Sequence, residues 1–217
     1  VSQAVSVIEK IKKSAISTFS IDLIFGLPNQ TMEDVKHDIS MFLSLDIPHL
    51  SIYSLQIEEN SVFGKKGIKP IDSDLEADMF EYITKTLEAA GYIHYEISSF
   101  CKPGHHSRHN LAYWQDQDFY GIGCGASGRI NGIRYDNTTS LKEYCSKGPC
   151  PTYISETLEE RSMDAIMMAL RTKFGLNIRE WNLRYQSDFK AKYESVLKTY
   201  CSYFEYGDDT IYLNDAG

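Results

Sequence analysis

The chain has 217 residues, 42% of them hydrophobic and 24% charged, with a formal net charge of −8. That is enough chain to bury a core in one large domain or two small ones. The acidic balance argues against a role dominated by phosphate-backbone contacts, which need clustered Lys and Arg. No apolar run reaches the roughly 18–20 residues of a membrane span and no basic-then-apolar leader opens the chain, so a cytoplasmic location is expected.

Val1, Val5, Ile8 and Ile11 recur at helical spacing, so the chain opens inside an amphipathic helix; it stops at Gly217 straight after a strand-like pattern, and both ends read as cut. "FSIDLIFGLP", Phe19 to Pro28, is a short β-rich run closed by Gly26 and Pro28, of the kind expected for a strand buried on both faces of a parallel sheet. Thr31 is the expected N-cap of a helix with Glu33 and Asp34 in its first turn and Val35, Ile39, Phe42 and Leu43 on one face. "HLSIYSLQI" from His49 is the next strand, a helix follows from about Asp74 to a C-cap at Gly91, and "YIHYEISSF", Tyr92 to Phe100, is the third strand. Strands alternating with helices imply a parallel sheet with helices outside it. Three strands are too few to close a barrel, so the first should present an unpaired edge.

"CKPGHHSRHNLAYW", Cys101 to Trp114, holds three of the six histidines, His105, His106 and His109, behind a Pro-Gly turn and reads as a loop. Its residues leave three readings open. A zinc site would want His105 and His109 one helical turn apart, and no third ligand is evident. A packing role would bury Tyr113 and Trp114, with Arg108 and Asn110 bonding loop carbonyls. A flat tetrapyrrole could take His109 as iron ligand, Tyr113 and Trp114 against the macrocycle and Arg108 on a propionate. "DFYGIGCGASGRI", Asp118 to Ile130, follows with glycines at 121, 123, 125 and 128, expected as a strand that lets a backbone or ligand approach closely; it lacks the Lys-Ser/Thr of a phosphate loop.

The five cysteines lack the density of a disulfide scaffold, and only Cys145 and Cys150 are near in sequence, with no second pair to complete a zinc or iron–sulfur site; free thiols are expected. From Glu156 the pattern turns to three helices, 156–173, 178–184 and 187–203, and a closing hairpin, an outline resembling a winged helix. Residues 1–150 and 151–217 are therefore the two expected domains. The second carries eight Lys or Arg against eleven Asp or Glu from residue 155 onward, and this makes nucleic-acid reading the weakest of the candidate functions.

"SIDLIFGLPNQT", "GYIHYEISSF", "RHNLAYW" and "YGIGCGASGRI", in this order, resemble the radical S-adenosylmethionine proteins related to oxygen-independent coproporphyrinogen III oxidase, and R-H-N-x-x-Y-W is nearer their haem-chaperone branch. The resemblance implies an α/β fold: half of a TIM-like barrel followed by a small winged-helix-like α+β domain. It implies S-adenosylmethionine and a [4Fe–4S] cluster in the whole protein, although the C-x-x-x-C-x-x-C loop that binds the cluster is not in this sequence. The cluster-binding half is then expected upstream of Val1, and this chain alone should be inactive. Asp22, Gln56 and Ser127 match positions near S-adenosylmethionine, with loop-capping as the alternative for Asp22, whose carboxylate would be costly to bury without partners. Arg108, His109, Asn110, Tyr113 and Trp114 match the haem motif. The implied function is haem binding and transfer to client proteins, with oxidative decarboxylation of coproporphyrinogen III as the alternative.

Overall fold

The computed structural model describes residues 1–214 and 216–217. By internal contacts the chain forms two units, Val1–Ser107 and Arg108–Gly217. The change of pattern at 150–155 falls within the second.

The first unit opens with helix α1, Ser2–Lys12, and strand β1, Ser20–Phe25. Helix α2, Met32–Ser44, starts at a capping box in which Thr31 and Asp34 satisfy each other's backbone N–H groups. Strand β2, His49–Ser54, a short helix α3, Val62–Lys65, and helix α4, Ser73–Ala89, follow. Asp72 caps α4 at its start, and Gly91 at φ +85° leaves it in the left-handed conformation that ends helices cheaply. Val35, Ile39 and Phe42 of α2 and Met79, Ile83 and Leu87 of α4 belong to one core with Leu50, Ile52 and Phe100 of the sheet.

That sheet has four strands in the order β1-β2-β4-β3, and only β1 and β2 are parallel, from Ser20 opposite His49 to Phe25 opposite Ser54. The expected third strand is instead a hairpin of β3, Ile93–Glu96, and β4, Ser99–Cys101, with β4 antiparallel to β2. The reversal at Ile97 and Ser98 has no Gly or Pro to announce it. It is held by the Glu96 carboxylate, which accepts from the Ser98 N–H at 3.2 Å and from its hydroxyl. The sheet is therefore mixed, not parallel. Nor is β1 buried on both faces: it is an edge strand whose Ile21, Leu23 and Phe25 pack with the core while Ser20, Asp22 and Ile24 are exposed.

In the second unit, Arg108–Trp114 is a helix, α5, where a loop was expected. Of the glycine-rich stretch only Ser127–Ile130 is strand, β5, pairing antiparallel with β6, Ile133–Asp136, which pairs in turn with β7, Thr152–Ile154. Asn131 and Gly132 turn the β5–β6 hairpin, both at positive φ, with their N–H groups on the Asp118 carboxylate. Helix α6, Leu141–Lys147, lies between β6 and β7.

Helix α7, Leu158–Leu170, begins at a second capping box, Thr157 with Glu160. Strand β8, Leu176–Asn177, and helix α8, Ile178–Tyr185, come next. The long helix expected over 187–203 is broken into α9, Phe189–Lys192, α10, Glu194–Thr199, and a 3₁₀ turn at Cys201–Tyr203. The break falls at Tyr193, whose ring packs on Phe189 and Trp181. Strands β9, Phe204–Tyr206, and β10, Thr210–Leu213, complete a sheet of order β8-β10-β9. Trp181 centres this core, with Tyr185 and Phe189 at ring distances of 5.3 Å and its indole N–H on the Ser162 carbonyl.

Candidate functional site

The helical conformation of α5 sets His109 and Tyr113 one turn apart on one face. The Tyr113 hydroxyl lies 3.1 Å from His109 Nε2, the rings meet edge to face, and Tyr113 packs in turn on Phe119 at 4.3 Å. Both residues line a cavity of about 830 Å³ within the second unit, together with Phe119, Tyr120, Ile122, Ala126, Met167 and Met168.

The glycines decide how that wall is built. A Cβ on Gly128 would fall 2.2 Å from the Tyr135 ring and 2.5 Å from the Gly121 nitrogen, so the loop and β5 approach closer than any side chain permits. The Gly121 N–H donates to the Tyr135 hydroxyl, and the buried Asn137 amide donates to the Gly121 and Gly123 carbonyls. With the glycine backbone held this way, Tyr120 and Ile122 are left 74% and 87% exposed, apolar groups on the rim of an open cavity. Acidic and basic groups line the same cavity. Asp116, nearly buried, takes the Arg129 guanidinium, Arg184 at 2.7 Å and the Tyr185 hydroxyl at 3.0 Å.

The aromatic motif does not act as one patch. Trp114 lines a different cavity of the same unit, about 430 Å³, with Trp181, Arg184 and Tyr185. Arg108 is exposed and Asn110 half-buried, and neither lines the cavity of His109. Ser127 does line it, and its hydroxyl donates to Asp136 at 2.6 Å.

In the first unit Asp22 projects from the exposed side of β1, so the cost of burying its carboxylate does not arise. Gln56, beyond the end of β2, is exposed on a cleft of about 530 Å³ with Tyr53, Ser54, Glu76 and Phe80. Sequence reasoning passed over a buried polar group here. His49, buried on β2, is 2.7 Å from the Ser20 hydroxyl through Nδ1 and 2.8 Å from the Tyr95 hydroxyl through Nε2. The Tyr95 oxygen also accepts the Ser107 N–H at 3.2 Å, and His106 stands edge-on to the Tyr95 ring. Burial lowers the His49 pKa to about 4 against the pull of Asp22, and raises that of Tyr95 to about 12, so both are neutral near pH 7. The only signal in the sequence was a histidine at the head of an apolar strand, HLSIYS.

The opening histidines separate as well. His105, ahead of α5, lies 3.2 Å from the Thr18 hydroxyl, and among the described residues no group of three His, Cys, Asp or Glu could hold a metal ion, which leaves the zinc reading without ligands. All five cysteines are free. Cys101 is buried, its thiol pushed up to about 11 by desolvation, while Cys145, Cys150 and Cys201 are exposed; these residues do not fit an iron–sulfur cluster.

No protein-family profile matches the chain. Curated relatives do. It is 37% identical over 219 residues to the heme chaperone HemW of Lactococcus lactis, covering 97% of this chain and 58% of that protein. It is 35% identical to HemW of Bacillus subtilis, covering 88% and 52%. The chain thus spans about half the length of the curated relatives it matches. Its fold matches that of a solved structure titled as coproporphyrinogen III oxidase (HemN) from Escherichia coli, a radical SAM enzyme, with a TM-score of 0.79 at 17% identity, covering 97% of this chain and 54% of that one. The solved structure shares the fold, and the curated relatives give the family: the chain belongs to the HemW family.

Proposed function

We propose that this chain is the haem-binding part of a haem chaperone, and that the cavity of the second unit receives the macrocycle. The observation that carries the reading is the cavity of about 830 Å³, lined by aromatic and thioether groups with a histidine at its edge. Flat apolar ligands are held in sites of this size by apolar walls and a few placed polar groups. In the tautomer that donates from Nε2 to the Tyr113 oxygen, His109 presents its Nδ1 lone pair, which has no hydrogen-bond partner among the described residues. A second-sphere hydrogen bond of this kind orients metal-bound imidazoles. Tyr113 and Phe119 offer faces for the ring, while Trp114, Arg108 and Asn110 serve α5 and its surroundings.

Asp22, Gln56 and Ser127 are proposed as contacts to S-adenosylmethionine in the whole protein, which would also carry the [4Fe–4S] cluster on residues outside this chain. The strands of the first unit are read as half of a TIM-like barrel and residues 151–217 as a winged-helix-like module. No helix among the described residues is long and apolar enough to cross a membrane, in keeping with a proposed cytoplasmic site of action and with client proteins as the receivers of haem.

Titrating the chain with haem tests this. A Soret band that shifts and weakens in His109→Ala, and is unchanged in His105→Ala, is the expected result. An unchanged band and affinity in folded His109→Ala overturns the assignment.

A further inference from the structure

The charges around this cavity carry a second conclusion, which rests on the haem reading. Besides two tyrosines, six acidic or basic side chains line it: His109, Asp116, Arg129, Arg134, Glu156 and Asp164. Arg129 and Arg134 face each other across the β5–β6 ladder and so emerge on one side of the sheet. Two like charges so placed need compensation, and they receive it unequally. Arg129 is 12% exposed and committed to Asp116, which is shared with Arg184 and Tyr185. Arg134 is 47% exposed, and its ion-pair partner Glu156 stands 3.6 Å away, beyond the length of a charge-assisted hydrogen bond.

We infer that Arg134 is the carboxylate anchor of this cavity and makes it selective for flat macrocycles that carry free acid groups at one edge. A guanidinium presents donors in a planar fork that matches a carboxylate. Its backbone pairs in the sheet, but among the described residues the Arg134 guanidinium makes no hydrogen bond, so those donors are available. Asp164, with no ion-pair partner among the described residues, lies on α7 and repels an acid group placed beside it. Arg129 is largely enclosed, with its guanidinium turned to Asp116. The Arg134 edge is thus the place where an acid group meets an accessible guanidinium, and Glu156 competes for it.

The test compares ferric protoporphyrin IX with its dimethyl ester, which keeps the ring and the iron and removes both negative charges. Arg134→Ala should weaken binding of the free acid by about tenfold or more and leave the ester unaffected. Glu156→Gln should act in the opposite direction, tightening the acid by roughly threefold through release of the guanidinium, again without effect on the ester. A variant that failed to fold would lose both ligands, so the ester serves as the internal control. Equal affinity of the wild-type chain for acid and ester, with both weakened by His109→Ala, refutes the anchor and leaves the haem reading intact. If the wild-type chain binds neither compound, the haem reading itself falls.

Discussion

His49 offers a test of the first unit that needs no ligand. Its imidazole is 2% exposed and hydrogen-bonded at both nitrogens, to Ser20 and Tyr95, and desolvation lowers its pKa from 6.5 to about 4. The unfolded chain therefore takes up the proton first. Stability from this group is complete above pH 6.5 and is lost as the pH falls toward 4. Of the neighbours, Asp22 favours the charged ring and His106 opposes it. Between pH 7.5 and pH 5 the loss spans about 1.5 pH units below the unfolded value, or roughly 2 kcal/mol at 1.36 kcal/mol per unit. Urea midpoints of the wild-type chain measured across that range should fall accordingly. In His49→Gln, which can still bond Ser20 and Tyr95 without titrating, the decline should be flatter by about the same 2 kcal/mol, even if the midpoint at pH 7.5 is lower. An identical pH dependence in the two proteins would refute the buried, neutral histidine.

Four other outcomes can be checked. Asp116→Asn suits the left-handed backbone at that position, φ +55°, yet leaves Arg129 and Arg184 without their counter-charge, so denaturant unfolding should show a loss of about 3–5 kcal/mol. Gly128→Ala drives a methyl group into the Tyr135 ring and the Gly121 backbone; a destabilisation of about 1–3 kcal/mol is expected, and haem affinity should fall with the displaced loop. Thr157→Ala removes the capping box of α7 and should cost about 1 kcal/mol by thermal unfolding, a loss Thr157→Ser would largely avoid. After anaerobic reconstitution with iron and sulfide, the chain should retain no stoichiometric cluster by iron analysis and visible absorption, because its free cysteines form no ligand set among the described residues.

Sequence alone determined whatever depends on local chemistry and period. Thr31, Asp72 and Thr157 sit where helices begin because their short polar side chains accept orphan N–H groups, and the apolar residues of α2 and α4 form the core because helical spacing places them on one face. The motifs carried the family in the same way, since their order along the chain is a linear property. Tertiary structure decided what depends on contacts distant in sequence. The hairpin at Ile97 and Ser98 turns without Gly or Pro because Glu96 binds its backbone and β4 finds β2, so no local signal could show that the sheet is mixed. His49 became a buried, neutral hub only when Ser20, Tyr95 and Ser107 came together around it. Likewise the motif from Arg108 to Trp114 is continuous in sequence but sends His109 and Tyr113 to one cavity and Trp114 to another. A helix points neighbouring residues in different directions, and which directions meet an open, apolar wall depends on glycines, methionines and an arginine that lie elsewhere in the chain.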